Sequence, residues 1–326
     1  MKIILILILL LICSCTYLPE STGRINEIIV ITSPEDKILI QPLLFDVFNN
    51  IIHTPQEEMI YKLKYQNAGE IKNVNKHANI IVASLDFPID STVDLLMNRF
   101  LSKHNKDAEL LALSNLYAKN QLFFLIHSHD AITFEKVIKN NKKWILEQYN
   151  ILFEKRIIKD IYRNGKNKDL SNKILKTIGH TIELQIDFEL IKHDSLHSFI
   201  WVGRSYPYRW LTLHISREDS YMNIQSSWDQ IKKDFAFNMP EIKISNHFQV
   251  NENVLYKKNK IRVMRGIYEH STSNSGGPFF VYIFDTDEDN EVILISGFVN
   301  YPGHEKLLLL KQLEIIAKTI NMRKSS

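Results

Sequence analysis

KIRVMRGIYEH, residues 260–270, alternates apolar and polar side chains with the period of a half-buried β-strand. Ile261, Val263, Arg265 and Ile267 fall on one face, so a guanidinium points with the apolar set. Three further extended runs surround it: His247 to Leu255 before, then Phe279 to Asp285 and Glu291 to Asn300. Consecutive strands joined by turns read as an antiparallel sheet. Beyond them, His304 to Met322 reads as a helix with Leu309, Leu313, Ile316 and Ile320 on one face.

Going back from this core, Tyr221 to Phe235 reads as a helix, and Thr181 to Ile186, Glu189 to Lys192, Ser198 to Val202 and Trp210 to Ile215 read as extended. A helix at Leu170 to Ile178 precedes them, and the helices are expected on one side of this sheet. Before Lys166 the texture differs. Strands at Ile28 to Ile31, Tyr61 to Tyr65, Ile80 to Ala83 and Gln121 to Ile126 alternate with helices at Asp36 to Asn50, Ser91 to Ser102, Lys106 to Lys119 and Asp130 to about Arg163. That order predicts an α+β chain: an N-terminal α/β layer with a partly parallel sheet over 27–165, then a C-terminal antiparallel sheet flanked by helices over 166–326.

The first residues predict a destination. Met1 and Lys2 precede unbroken Ile and Leu from Ile3 to Ile12, a run too short to cross a bilayer permanently. Leu11-Ile12-Cys13-Ser14-Cys15 fits the site at which lipoprotein leaders are cut, so residues 1–14 are expected to be removed and Cys15 to carry lipid. Cys13 is the weaker alternative, because Ile12 is a bulky neighbour for cleavage. The chain has 2 Cys, so lipidation at Cys15 would leave no thiol for a disulfide, a nucleophile or a metal. Thr16 to Asn26, with Pro19 and Gly23, reads as a tether. The expected position is the cell envelope, on the outer membrane facing the periplasm, with the membrane itself as the first partner.

Net charge is +3, and losing Lys2 gives +3 − 1 = +2, with 40 basic and 37 acidic residues interspersed. No basic stripe marks a nucleic-acid surface. No G-x-S-x-G elbow, P-loop or dinucleotide fingerprint occurs, so no cofactor is expected.

Several clusters admit two readings. His127-Ser128-His129-Asp130, where a strand meets a helix, offers metal ligands for a hydrolase; Asp130 equally suits a helix N-cap. Asp285-Thr286-Asp287-Glu288-Asp289-Asn290 starts like a calcium loop, yet Asn290 replaces the turn glycine and Ser296 the final acid, so a hairpin turn is the competing reading. Arg265, with Tyr268 and the Ser271 to Pro278 loop containing Gly276 and Gly277, can form an anion-accepting concavity or an internal ion pair beside a long loop. Trp201, Arg204, Tyr206, Tyr208, Arg209 and Trp210 suit recognition of a glycan or peptide, or ordinary packing.

The chain resembles a family of envelope lipoproteins, domain of unknown function family 4837. The leader with LPESTGRINEIIVI is similar to that family's opening; FELIKHDSLHSFIWVGR (188–204), RVMRGIYE (262–269), GGPFFVYIFD (276–285) and VILISGFVNYPGHEK (292–306) are similar to its later blocks. The resemblance implies envelope localisation and a single body from tether to last helix, and supplies no catalytic residues. The expectation is therefore a membrane-anchored binding or accessory module with an envelope protein or glycan as partner. The alternative is a cell-envelope hydrolase using His127, His129 and Asp130.

Overall fold

The computed structural model describes residues 18–85, 91–105, 108–256, 259–273, 275–286 and 291–321. The leader and Cys15 lie outside the described residues, as do Asp287 to Asn290 and Asn274 of the two expected loops. The chain divides into two compact units: Met1–Asn50 with Tyr61–Arg156, and Ile51–Ile60 with Ile157–Ser326. The division falls nine residues before the expected boundary at 165/166, and the second unit also claims a short upstream excursion.

Unit 1 is built on a five-stranded sheet, in order β4 (Lys62–Gln66), β1 (Glu27–Ile31), β5 (Asn79–Ser84), β7 (Leu122–His127), β6 (Leu110–Ser114). The first four run parallel and β6 is antiparallel at the edge. β5 and β7 are buried along nearly their whole length, as expected where helices cover both faces of a parallel sheet. Helix α1 (Pro34–Phe48) starts where the sequence dictates: Ser33 accepts from the Asp36 amide at 3.0 Å, Pro34 opens the helix, and Glu35 and Asp36 sit in its first turn. A single short turn, α2 (Ile71–Val74), and the helices α3 (Ser91–Leu101) and α4 (Ala131–Ile161) complete the layer. Among the described residues no helix is long and apolar enough to cross a membrane.

The expected helix at Lys106 to Lys119 is instead strand β6 and a hairpin turn. Leu110-Leu111-Ala112-Leu113 has high helix propensity, and tertiary bonds override it. Asn115 and Asn120 adopt left-handed conformations, φ 57° and 58°, while Gln121 accepts from the Tyr117 amide at 2.8 Å and donates to the carbonyls of Asn75 and His77 at 2.6 and 2.8 Å. At the same end of the sheet Arg156 donates to Asn79 Oδ1 and the Ala78 carbonyl, each at 2.7 Å, and to the Asn120 carbonyl. The stretch read as a tether is bonded from residue 19 onward: Lys119 donates to the Pro19 carbonyl at 2.7 Å and Thr22 to Lys76 at 2.8 Å.

Unit 2 carries a seven-stranded antiparallel sheet, in order β11 (Ile242–Tyr256), β12 (Asn259–His270), β13 (Gly276–Asp285), β14 (Val292–Asn300), β10 (Tyr208–Ser216), β9 (Phe199–Arg204), β8 (Glu189–Asp194). β2 (Ile51–Ile52) and β3 (Glu58–Met59) pair as a small hairpin within the same unit. Thr181 to Ile186 joins no strand and makes isolated bridges only. Register assigns the faces. Met264, Val281, Ser296, Thr212 and Trp201 share one row, and it packs under α6 (Ile224–Asn238) through Trp228, Ile231 and Phe235. The row Val263, Tyr282, Ile295, Leu213 and Ile200 belongs to the other face, which is covered by α7 (Leu307–Ala317) and α5 (Lys168–Ile178). Helices thus lie on both sides of the sheet, not one, which is why β14 is buried throughout. Of the expected inward face, Leu313, Ile316 and Ile320 are buried; Leu309 is half-buried, and Leu310 takes its place in the core.

Candidate functional site

The alternation of β10 sends His214 to the same side as Trp210 and Thr212, towards α6. There it meets Asp234, whose Oδ2 lies 3.7 Å from His214 Nδ1. The carboxylate is fixed from two sides: the Tyr221 hydroxyl donates to Oδ2, and Gln230 Nε2, one turn earlier on α6, donates to Oδ1 at 2.9 Å. Burial lowers the His214 pKa and nearby His197 adds to that, outweighing the pull of Asp234, so the imidazole is neutral at pH 7. Burial, then Asp234, raise the Tyr221 pKa, so its hydroxyl stays protonated and donates.

These groups line a cleft of about 480 Å³, closed by the β8–β9 turn (Leu196, His197, Ser198), the end of β10, α6 and Glu291. His197 is held by Asp194 at 2.8 Å, and its ring meets Phe237 edge-on at 5.0 Å. Phe237 is 61% exposed on this rim. Arg217 pairs with Glu291 at 2.8 Å. Asn238, the last residue of α6, also lines the cleft; it is 4% exposed, and its Oδ1 has no hydrogen-bond partner among the described residues. A buried carboxamide oxygen left alone is costly unless something fills the need. The cleft therefore presents acceptors, a neutral imidazole and an exposed aromatic ring. Ser198 and Ser216 line it, and among the described residues neither hydroxyl is hydrogen-bonded to His214.

The sequence-predicted residues are distributed differently from what was expected. Arg265 and Tyr268 are three positions apart on β12 and hence on opposite faces. Arg265, Arg204 and Gly276 lie on the α7 side, and Trp201, Tyr268 and Gly277 on the α6 side. Arg265 forms an internal ion pair: Nε contacts Glu252 at 2.7 Å and Nη1 pairs with Glu314 of α7. Burial works against its charge, and Glu314, Tyr282 and Glu252 more than compensate, so its pKa rises. Glu314 is fully buried, yet Lys311, at 2.8 Å, and Arg265 hold its pKa down to about 2.

The anion-accepting concavity does not form among the described residues. Gly276 and Gly277 belong to β13, paired with Glu269 and Tyr268, and the Ser271 and Ser275 amides donate to the carbonyls of Glu241 and Ser273. Glycine is needed at 277 for space, because a Cβ there would lie 1.9 Å from the Val299 carbonyl oxygen. Tyr268 is buried and donates to that same carbonyl at 3.2 Å. Arg204 pairs with Asp187, and buried Arg209 bonds to Gln312 of α7, its pKa lowered by burial to about 10. Trp201 and Trp210 pack edge-on at 6.0 Å beside the α6-side core.

His127 and His129 lie ring edge to ring face at 5.5 Å. Asp130 spends both oxygens on Thr133, accepting from its amide and its hydroxyl at 2.8 Å each, the geometry of a cap on α4, and those bonds lower its pKa. Among the described residues no group of three or more His, Cys, Asp or Glu is placed to hold a metal. Asp285 pairs with Val292 across the ends of β13 and β14, and the rest of the acidic run, 287–290, lies outside the described residues.

The His214 cleft escaped the sequence because its parts come from a turn, a strand and a helix. One signal was available: a histidine in the inward-facing set of β10, like the arginine in that of β12.

Residues 167–319 match the family model for Domain of unknown function (DUF4837), and residues 21–161 match a separate one, Domain of unknown function (DUF8532). LPESTGRINEIIVI thus falls largely within the second model rather than the first. No curated protein matches the chain.

Proposed function

We propose, from the premise that residues 167–319 belong to the DUF4837 family, that this protein is a lipid-anchored binding module of the cell envelope. Its anchor is Cys15 and its ligand seat is the cleft beside α6. The observation that carries the binding reading is the cleft's chemistry: acceptors at Asp234, His214 and Asn238 Oδ1 next to an exposed Phe237 ring. A saccharide answers that arrangement, with several hydroxyl donors and a C–H face for the aromatic ring. The leader pattern supports the anchor, and bonding of the chain from Pro19 onward supports a body held close to the bilayer. Three residues separate Pro19 from Cys15, a reach of at most ~14 Å over four Cα steps.

Two measurements test this. A Cys15→Ala form should lose palmitate-analogue labelling and leave the membrane fraction; an unchanged distribution removes the anchor. Saturation-transfer NMR with glucose, N-acetylglucosamine and their short oligomers should show binding by at least one, weakened about tenfold in Phe237→Ala, whose side chain is too exposed to support the core. Silence across the panel at millimolar concentration, or an unaffected Phe237→Ala, ends the saccharide reading.

A further inference from the structure

Another cavity of unit 2 opens mainly on the α7 side of the sheet, reaches through to Phe279, and has a different character. Its volume is about 250 Å³. Its walls are Ile51, Ile52, Ile60, Phe248, Val250 and Leu310, and at one end stand Arg265, Glu252 and Lys311. An apolar chamber with a few charged groups gathered at one point is the usual form of a small-molecule site. Room exists for a ligand of roughly ten non-hydrogen atoms.

The backbone is shaped around this chamber. β11 loses register with β12 between Ile244 and Gln249, which takes Phe248 out of the ladder, and its ring lies tilted against His53 at 4.4 Å. Irregularities of this kind recur beside functional sites, where they re-aim a side chain. The wall facing β11 comes from the β2–β3 hairpin, and Glu58 fastens that hairpin by accepting from the Lys306 and Leu307 amides at 2.8 to 3.0 Å.

The charged end is balanced but unequal. Arg265 and Lys311 face Glu314 and Glu252, two charges of each sign. Glu314 is buried and held by both cations. Glu252 is 42% exposed, sits on the edge strand, and among the described residues its carboxylate is ion-paired with Arg265 Nε alone. An exposed carboxylate of this sort contributes little and is free to turn into water. A second carboxylate taking its place would leave the cluster neutral and keep the guanidinium paired, as burial demands.

We propose that this pocket binds a small amphiphile bearing one carboxylate, of the medium-chain fatty acid class, with its tail against Ile52, Ile60 and Phe248 and its head replacing Glu252 on Arg265. The proposal is independent of the saccharide reading, which concerns the other face of the sheet.

The test is calorimetric titration of the full chain with octanoate, octanol and octylamine. Octanoate should bind one to one, octanol at least about tenfold more weakly, and octylamine not measurably. Removing the internal competitor in Glu252→Gln should tighten octanoate severalfold, and filling the chamber in Ile60→Trp should abolish it. Glu252 is exposed and its loss leaves Arg265 paired with Glu314, so the first variant folds and reads cleanly. Equal affinity for octanol and octanoate, no octanoate binding at millimolar concentration, or unchanged affinity in Glu252→Gln would each overturn the proposal.

Discussion

Arg156 in unit 1, buried, and Arg265 in unit 2, partly buried at 20% exposure, are both guanidinium groups withdrawn from water, and the chain has settled them in opposite ways. Arg156 is surrounded by dipoles: two backbone carbonyls and the Asn79 carboxamide take its donors, and no carboxylate is among these partners. Burial consequently lowers its pKa to about 10. Arg265 sits between two carboxylates, and its pKa rises. The dipole solution ties together strand ends of a parallel sheet, where carbonyls converge. The charge solution ties a helix to a sheet face, where no free carbonyl is available and a side chain must reach across. A buried cation held by dipoles is insensitive to acid, while one held by carboxylates is only as stable as their ionisation.

The comparison breaks most sharply in Arg265→Gln. Glu314 would keep only Lys311 in a buried site, and denaturant unfolding followed by tryptophan fluorescence should show a loss of ~3–5 kcal/mol. Trp201, Trp210 and Trp228, three of the 4 tryptophans, report on unit 2. The paired exchange Arg265→Met with Glu314→Leu should recover most of that loss; if it is as damaging as the single change, the cost lies in packing and not in a stranded charge.

Acid should separate the two units next. Glu314 titrates from 4.5 in the unfolded chain to about 2 in the folded one, so its contribution is fully present above pH 4.5 and disappears as pH falls towards 2. About 2 kcal/mol should vanish from unit 2 by pH 3, read as a shift of urea midpoint between pH 6 and pH 3. A midpoint that holds steady contradicts the depressed carboxyl.

Arg156→Gln should cost ~2 kcal/mol, because the Ala78 and Asn120 carbonyls lose charged donors, and the cost should be the same at pH 6 and pH 4. The smallest effect concerns the cap on α7. Glu58→Gln keeps the acceptor and removes the charge at the helix N-terminus, for a loss of about 1 kcal/mol that high salt should diminish.

Strand alternation makes most of unit 2 legible in the sequence, and Arg265 reads there as an inward cation in need of a partner. Its partners were not legible. Glu252 follows from strand register, but Glu314 comes from a helix 49 residues onward, and only packing chooses it. Strand β6 was hidden for the same reason: Leu110 to Leu113 is locally a helix, and Gln121 overrules it through carbonyls more than forty residues away. The His214 cleft joins residues 197, 214 and 234, each ordinary in its own segment. Local pattern reports which way a side chain faces. It does not report what waits there.

The β2–β3 excursion makes unit 2 discontinuous along the chain, and that constrains its history. A polypeptide emerging from its N-terminus delivers Ile51 to Ile60 well over a hundred residues before the sheet that will receive them. These residues must wait, with apolar side chains uncovered, until α7 arrives more than two hundred residues later. Cutting the gene at the apparent seam between units would therefore separate α7 from its cap, and a fragment starting at residue 157 should be harder to obtain folded than the length of its sheet would suggest.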